Sequence, residues 1–407
     1  MRFGQASPLK FSLAVTELAW ARELCCLAGL RDILLMGFEK FLGNQRIVSA
    51  LRGMLRRERA PSALLFTGPR GVGKYTLARM FAQAANCQRL KDDFCGECAS
   101  CQRMRPYSDP QPLVEAGLSE RGENADAAMI ERMPLILQPH PDVWLMAPDP
   151  VRLHTPVARP MLRVGQLRAV QRAAYFQPEG RRRVFILDGA DTMRWNEADL
   201  LLKILEEPPE SATLILLAAT PGSLPQTIPS RCLQFHFAPV PEREIEDFLR
   251  TRAEEADEKP ATPVRRRLAA QLSGGSPGLA LAIDLEESVR LRRSLLRLIE
   301  QGVAGEKYNE IFAGTAQLAK EEKESFENVL DMLYSLFTDL LESTQGSNSS
   351  LARNPDLHRE VQILSQKVSL DWVVRATQGL DNLESRLRRN VGRQLGLDAL
   401  VASFAVR

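Results

Sequence analysis

The sequence predicts an α/β protein, with a core built on a parallel five-stranded sheet, then a small helical lid, then an all-α C-terminal domain. Three observations carry that prediction. Short apolar runs alternate with helical stretches as far as residue 238, the first of those runs feeds straight into a glycine-rich loop, and beyond Pro239 the strand signals stop. At 407 residues the chain has room for two or three domains, each with its own apolar core. The 53 Lys and Arg nearly balance the 51 Asp and Glu, so a net charge of +2 gives no global pull toward nucleic acid or acidic lipid. Any DNA contact must then be local. No apolar run reaches the ~20 residues needed to cross a bilayer.

Residues 1–35 stand apart. Phe11 to Leu35 is rich in Leu, Ala and Cys, but Glu17, Arg22, Glu23, Arg31 and Asp32 interrupt it, which makes it a poor signal peptide. It reads as an upstream extension, a misplaced start or an accessory helix. The core is expected over 36–238. Ile47, Leu51 and Leu55 mark a first helix, and Ala63 to Thr67 is the first strand. Val72 to Ala85 is the helix whose N-terminal amides would face phosphate. Arg105 to Met133 reads as a polar surface insertion with one helix. Further strands are expected at Asp142–Met146, Arg183–Asp188, Thr213–Ala219 and Leu233–Phe237, with helices at Leu162–Phe176 and Glu197–Glu206 between them. Helices at Arg243–Ala256, Val264–Leu272 and Leu279–Leu285 make a lid over 239–285, and 286–407 is helical with a polar break at Ser343–Ser350.

The glycine-rich loop is Gly68-Pro-Arg-Gly71-Val-Gly73-Lys74-Tyr75. Gly68, Gly73 and Lys74 satisfy the G-x-x-x-x-G-K core of a phosphate-binding loop, whose glycines let backbone amides approach phosphate while the lysine supplies a point charge. Tyr75 stands where a Ser or Thr hydroxyl would ligate Mg²⁺, and Thr76 is one residue late, about 100° further round the helix. At the third strand Val184 to Asp188 supplies an apolar run ending in an acid, but the next residue, where a catalytic Glu is expected, is Gly189. The acceptor for the metal and the base for water are thus both missing. ATP and Mg²⁺ binding is expected to be weak or absent, and self-contained hydrolysis is not expected. Asp188 is read either as a metal ligand or as a tie between strand end and loop.

Four cysteines follow at C-x7-C-x2-C-x2-C spacing: Cys87, Cys95, Cys98 and Cys101. Four thiols that close in the chain suit a closed tetrahedral site for a structural Zn²⁺ over 87–101. An iron–sulfur cluster and simple reactive thiols compete with it. Zinc is favoured because Gly96, Glu97, Ala99 and Ser100 read as a polar loop with little to shield a cluster. Cys25, Cys26 and Cys232 are expected to be packing residues, and His140 and His154 structural. Arg231, on the turn Thr227-Ile-Pro-Ser-Arg-Cys232, is placed to reach a neighbouring subunit; alone, it would read as a surface arginine in an ion pair. The mixed charge between Arg89 and Arg103 argues against the cysteine module as a strong DNA binder. No paired metal-binding carboxylates suggest a polymerase site.

Together with Gly43-Asn-Gln45, His140-Pro-Asp142, Asp188-Gly-Ala-Asp-Thr-Met193 and Leu201-Leu-Lys-Ile-Leu-Glu-Glu-Pro-Pro209, these motifs resemble the clamp-loader subunits of bacterial DNA polymerase III, of the AAA+ class, most closely the delta-prime type. The resemblance covers Phe38 to Gln271 by motif and the remainder by helical character. It implies an AAA+ core, lid and collar in a hetero-oligomeric ring with gamma or tau and delta subunits, acting on a sliding clamp and primer-template DNA. The setting it implies is cytoplasmic, at a nucleoid-associated replisome, with no membrane, and any polymerase activity belongs to the complex. It further implies that Arg231 is an arginine finger for a neighbour's ATP, that Thr220 is at the sensor 1 position, and that Gly278 replaces an arginine motor subunits use to sense the γ-phosphate. An ATP-hydrolysing gamma- or tau-like motor is the alternative.

Overall fold

The computed structural model describes residues 37–154, 157, 160–255, 261–305, 308–319, 323–346, 353–387 and 392–405. The extension 1–35, with Cys25 and Cys26, lies outside them. The chain divides into two compact units, Met1–Val240 and Pro241–Arg407.

In the first unit, helix α1 (Gln45–Arg56) buries Ile47, Val48, Leu51 and Leu55, the stripe its helical period predicts. Strand β1 (Ala63–Thr67) is buried along its whole length and leads through the glycine loop into α2 (Lys74–Ala85), of which every residue from Tyr75 onward is buried. A helix enclosed on all sides needs partners all round, and the polypeptide between α2 and the next strand supplies them. That segment holds α3 (Ala99–Arg103), a 3₁₀ turn at Arg105–Ser108, α4 (Gln111–Arg121) and α5 (Ala127–Arg132). The expectation of a surface insertion with one helix is corrected here. Tyr107, Val114 and Leu118 belong to the main core, and Arg121 is buried in an ion pair with Asp149 at 2.8 Å.

The sheet has six strands, not the five expected: β2 (Leu137–His140), β3 (Val143–Met146), β4 (Arg183–Leu187), β5 (Ala212–Ala218) and β6 (Leu233–His236) join β1 in the order β2-β3-β4-β5-β1-β6. Five are parallel, as predicted; the extra strand β2 pairs antiparallel with β3. Four residues that include Pro139 carry no periodicity to read, and an edge is where a strand proline is tolerated. Side chains alternate between two cores. Leu64, Phe66, Val184, Ile186, Ile215 and Leu217 face α1, α2 and the cysteine segment, whereas Leu65, Phe185, Leu187, Leu214 and Leu216 face α6 (Val164–Ala173) and α7 (Asp199–Glu206).

The segment before α1 and the segment after β6 are tied by one side chain. Asn44 sits in the left-handed region (φ 48°), donates from Nδ2 to Ala238 O (3.0 Å) and accepts at Oδ1 from Ala238 N (2.9 Å). It thereby pairs with the backbone just past β6 as a neighbouring strand would.

The second unit is helical throughout its described residues. The lid segment gives α8 (Glu242–Glu255), α9 (Pro263–Leu272) and α10 (Pro277–Ala282), and the collar segment gives α11 (Leu285–Ala304), α12 (Tyr308–Ala319), α13 (Lys323–Thr344), α14 (His358–Ser365), α15 (Leu370–Leu387) and α16 (Arg393–Ala402). Asp284 caps α11 by accepting from Glu286 N and Glu287 N, and Gly305 (φ 66°) ends it. The core runs from Leu295 to Phe404 and centres on Phe337, Trp372 and Phe404, with Trp372 Nε1 donating to Phe404 O at 2.7 Å. Among the described residues no helix is long and apolar enough to cross a membrane.

Candidate nucleotide loop and cysteine cluster

Parallel pairing of β1 with β5, and of β5 with β4, gathers the glycine loop, Asp188 and Thr220 at one end of the sheet. Gly68 N donates to Ala219 O at 3.0 Å, which fastens the loop to the residue before Thr220. Gly68, Gly71 and Gly73 all have positive φ (142°, 71° and 102°). At Gly68 a Cβ would lie 2.6 Å from Phe237 O, so only glycine brings the loop this close to the strand beside it.

Lys74 opens α2, where first-turn amides have no side-chain cap. Its Nζ donates to Gly68 O (2.6 Å) and Pro69 O (2.7 Å), folding the ammonium back onto its own loop. Burial holds Lys74 below the usual lysine range, against the opposing pull of Asp188 and Asp191. Both acids therefore bear on the lysine. Asp191, which the sequence reading passed over within Asp188-Gly-Ala-Asp-Thr-Met193, also accepts from Ala219 N at 3.1 Å and ties the end of β4 to that of β5.

Tyr75 points away from this loop into the core. Its hydroxyl donates to Tyr107 O at 2.7 Å, and burial pushes the phenol far above its usual range. Gly189 has φ 65°, and a Cβ there would sit 3.0 Å from Pro148 Cγ and 3.3 Å from Thr192 Cγ2. Thr192 Oγ1 donates to Gly189 O (2.7 Å) and so fixes the turn. The two departures seen in sequence are accordingly built into the packing. Gly278, the third, lies in α10 of the second unit.

Arg231 is not with this group. Leu64 pairs with Leu233 in parallel register, so Arg231, two residues before it, lies level with the entrance of β1, while Lys74 follows the exit. Five or six residues of strand separate the two levels, roughly 17–20 Å. The guanidinium bonds Glu206 Oε1 (Nη2, 2.9 Å), Thr227 O (3.0 Å) and Ser230 Oγ (3.4 Å), and the side chain is 36% exposed. Nothing in the linear motif Leu201–Pro209 marks Glu206 as this partner. Cys232 is half-buried against the second core, with burial pushing its thiol up to about 12, as a packing residue should.

The sulfurs of Cys87, Cys95, Cys98 and Cys101 all lie within 4.8 Å of one another, so the cluster could bind a metal ion. Four thiolates about 2.3 Å from one tetrahedral ion stand just under 4 Å apart, so one ion fits without rearrangement of the chain. An iron–sulfur cubane spreads its ligands wider. The expected polar loop is only half exposed: Glu97 and Ala99 face solvent, but Gly96 and Ser100 are buried, as are Cys87, Cys98 and Cys101, with Cys95 half-buried. Amides already point at sulfur: Leu90 N to Cys87 Sγ and Cys98 N to Cys95 Sγ, each 3.4 Å. Burial would raise the Cys95 thiol, but the backbone donors of Cys98 and Glu97 outweigh it and bring the group down to about 7. His140 is structural, with Nε2 on Ser100 Oγ (2.9 Å) and Nδ1 accepting from Asp142 N (3.0 Å); Asp142 in turn accepts from Glu179 N (2.9 Å) and Gly180 N (2.6 Å).

Comparison with known proteins follows the same division of the chain. A family model described as DNA polymerase III, delta subunit, matches residues 43–241, and one described as DNA polymerase III, delta subunit, C terminal, matches 286–404. The delta' subunit of DNA polymerase III from Pseudomonas aeruginosa is 29% identical over 386 residues, spanning 89% of this chain and 96% of its own. The chain belongs to the DNA polymerase III delta' family. Another member, the delta' subunit of Bacillus subtilis, is 25% identical over 362 residues, 88% of this chain and 94% of its own. The tau/gamma subunit of Haemophilus influenzae is 30% identical over 214 residues, but those are 52% of this chain and 25% of that one. The chain spans about a quarter to a half of the length of the gamma and tau relatives it matches. Likeness to delta' thus covers nearly nine tenths of the chain, and likeness to gamma and tau about half of it.

Proposed function

We propose that this chain is a clamp-loader subunit that does not hydrolyse ATP itself and supplies Arg231 in trans to ATP held by an adjacent gamma or tau subunit. The observation that carries this reading is the position of Arg231 at the opposite end of the sheet from its own Lys74. Two further features support it. Tyr75 and Gly189 remove the metal hydroxyl and the base from this chain's loop, and Lys74 is already engaged by loop carbonyls. The partly exposed Arg231–Glu206 pair is of a kind worth about 1 kcal/mol or less, so exchanging Glu206 for a neighbour's phosphate costs little. On this reading the lid (239–285) and collar (286–407) complete a ring with gamma or tau and delta. The ring acts on the sliding clamp and primer-template DNA in the bacterial cytoplasm, and the four cysteines hold a structural zinc ion. Zinc there supplies cross-linking alone, since four thiolates leave no open position.

The test is a loader reconstituted with Arg231→Ala. An arginine supplied in trans is worth on the order of 10³ to 10⁵ in phosphoryl transfer at its site. The expected result is loss of the turnover contributed by the adjacent site, with the ring still eluting intact on gel filtration. Unchanged ATPase in an intact ring overturns the finger. Hydrolysis by the isolated chain that disappears in Lys74→Ala would favour the motor reading instead.

A further inference from the structure

Helices α9 and α11 of the second unit flank an open groove of about 520 Å³, within the roughly 300–1,000 Å³ usual for ligand sites. Its floor is aliphatic, formed by the half-buried Leu268, Leu285 and Val289. Its rim is basic. Arg265 stands on α9, and Arg290, Arg293 and Arg297 follow one another along one face of α11 at the three- and four-residue spacing of neighbouring helical side chains. Among the described residues the only acid in the lining is Glu286, which is held by Arg265 at 3.0 Å. Arg290, Arg293 and Arg297 are exposed and, among the described residues, make no ion pair. The contrast with Arg292 is direct: on the other face of the same helix it is buried and bonded to Ser288 Oγ (3.2 Å) and Asp356 Oδ2 (3.4 Å).

Three unpaired arginines in successive turns repel one another, a cost that a helix face kept only for solubility avoids by interspersing acids. Here the charge borders an apolar trough. A nucleic-acid strand would use the charge but not the floor, and among the described residues no aromatic side chain lines the groove for a base to stack upon. Carboxylates flanking an apolar side chain would use both, since guanidinium groups take carboxylates in bidentate fashion. From Arg290 to Arg297 is about 10 Å of helix, the length of roughly three extended residues.

We propose that this groove docks an acidic peptide segment of a partner protein, with an apolar side chain seated on Leu268, Leu285 and Val289 and its carboxylates paired to Arg290, Arg293 and Arg297.

The test uses the full chain and a short fluorescein-labelled peptide of alternating aspartate and leucine, followed by anisotropy. Saturable, salt-sensitive binding is expected. It should weaken about tenfold or more in Arg290→Glu/Arg293→Glu/Arg297→Glu, where repulsion replaces three charge pairs. It should also weaken with a peptide carrying serine for leucine, and in Val289→Ser, a variant that leaves the arginines in place. Circular dichroism checks that the variants keep their helix content. Equal binding of the serine peptide would show charge alone and overturn the proposal. So would indifference to the triple substitution, no binding at all, or a thymidine oligonucleotide that binds as tightly and loses as much in the triple variant.

Discussion

Two positions, Tyr75 and Gly189, separate this glycine loop from a working nucleotide site, and at neither is the difference merely a missing functional group. Tyr75 has been recruited into the core, where its hydroxyl satisfies Tyr107 O. Putting back a metal-ligating hydroxyl with Tyr75→Thr empties most of an aromatic volume and is expected to cost about 3 kcal/mol in a denaturant titration. Tyr75→Phe keeps the volume and orphans one carbonyl, for about 1 kcal/mol. Neither should gain ATPase. Gly189→Glu, the other apparent repair, forces a side chain into a left-handed turn against Pro148. It is expected to lower stability by about 1–2 kcal/mol, again with no ATPase. Hydrolysis appearing in Gly189→Glu alone would show that the loss is chemical and not structural. The sequence displayed both departures, but their anchoring depends on Tyr107 and Pro148, residues no motif connects to them.

The elements around the cysteines behave as one support for α2. Arg56 pairs with Asp92 at 2.6 Å, Phe38 N donates to Asp93 Oδ1, Ser100 meets His140, and Tyr107 bonds the backbone of β3 at Val143. Stripping the zinc ion proposed for this cluster with a chelator, or Cys101→Ser, is expected to raise hydrogen exchange over 87–108 and along α2, and to lower the melting temperature. Protection unchanged by metal removal would contradict a structural ion. His140 sets a pH limit on the same support. Burial lowers its pKa below 6.5, so the unfolded chain takes the proton first. The stability it secures above that value is lost as pH falls from 6.5 toward the folded-state pKa. Melting temperature should therefore drop from about pH 7.5 to 5.5 more steeply in the native chain than in His140→Gln. This support was half legible beforehand. Cysteine spacing announced the cluster, whereas Arg105–Met133 looked solvated because its polar residues conceal Tyr107, Val114 and Leu118, and because the buried Arg121–Asp149 pair looks like two surface charges in a linear reading. Strand β2 was invisible for a similar reason: tertiary pairing with β3, not periodicity, makes it a strand.

At the scale of the molecule, two units keep separate cores, one on the faces of the sheet and one around Phe337, Trp372 and Phe404. Residues 241–407 expressed alone are expected to unfold in one cooperative helical transition, because among the described residues that core draws on none before Leu291. A sloping, non-cooperative melt by circular dichroism would show that the second unit leans on the first. The parallel order of the sheet was predictable from alternating strands and helices, while the register that sends Arg231 and Lys74 to opposite ends emerged only from the pairing of β1 with β6. The pairing of Asn44 with Ala238 reaches further still. It brings residues 43 and 44 alongside 238–240, so closely that a Cβ on Gly43 would lie 2.7 Å from Val240 Cγ2. Because residue 240 meets residue 43, a linker of about eight residues, long enough to run beside 37–43, can join residues 37 and 240, and new termini can be opened in a surface turn without dismantling the sheet. It has the form of a cassette that could be carried whole into another polypeptide.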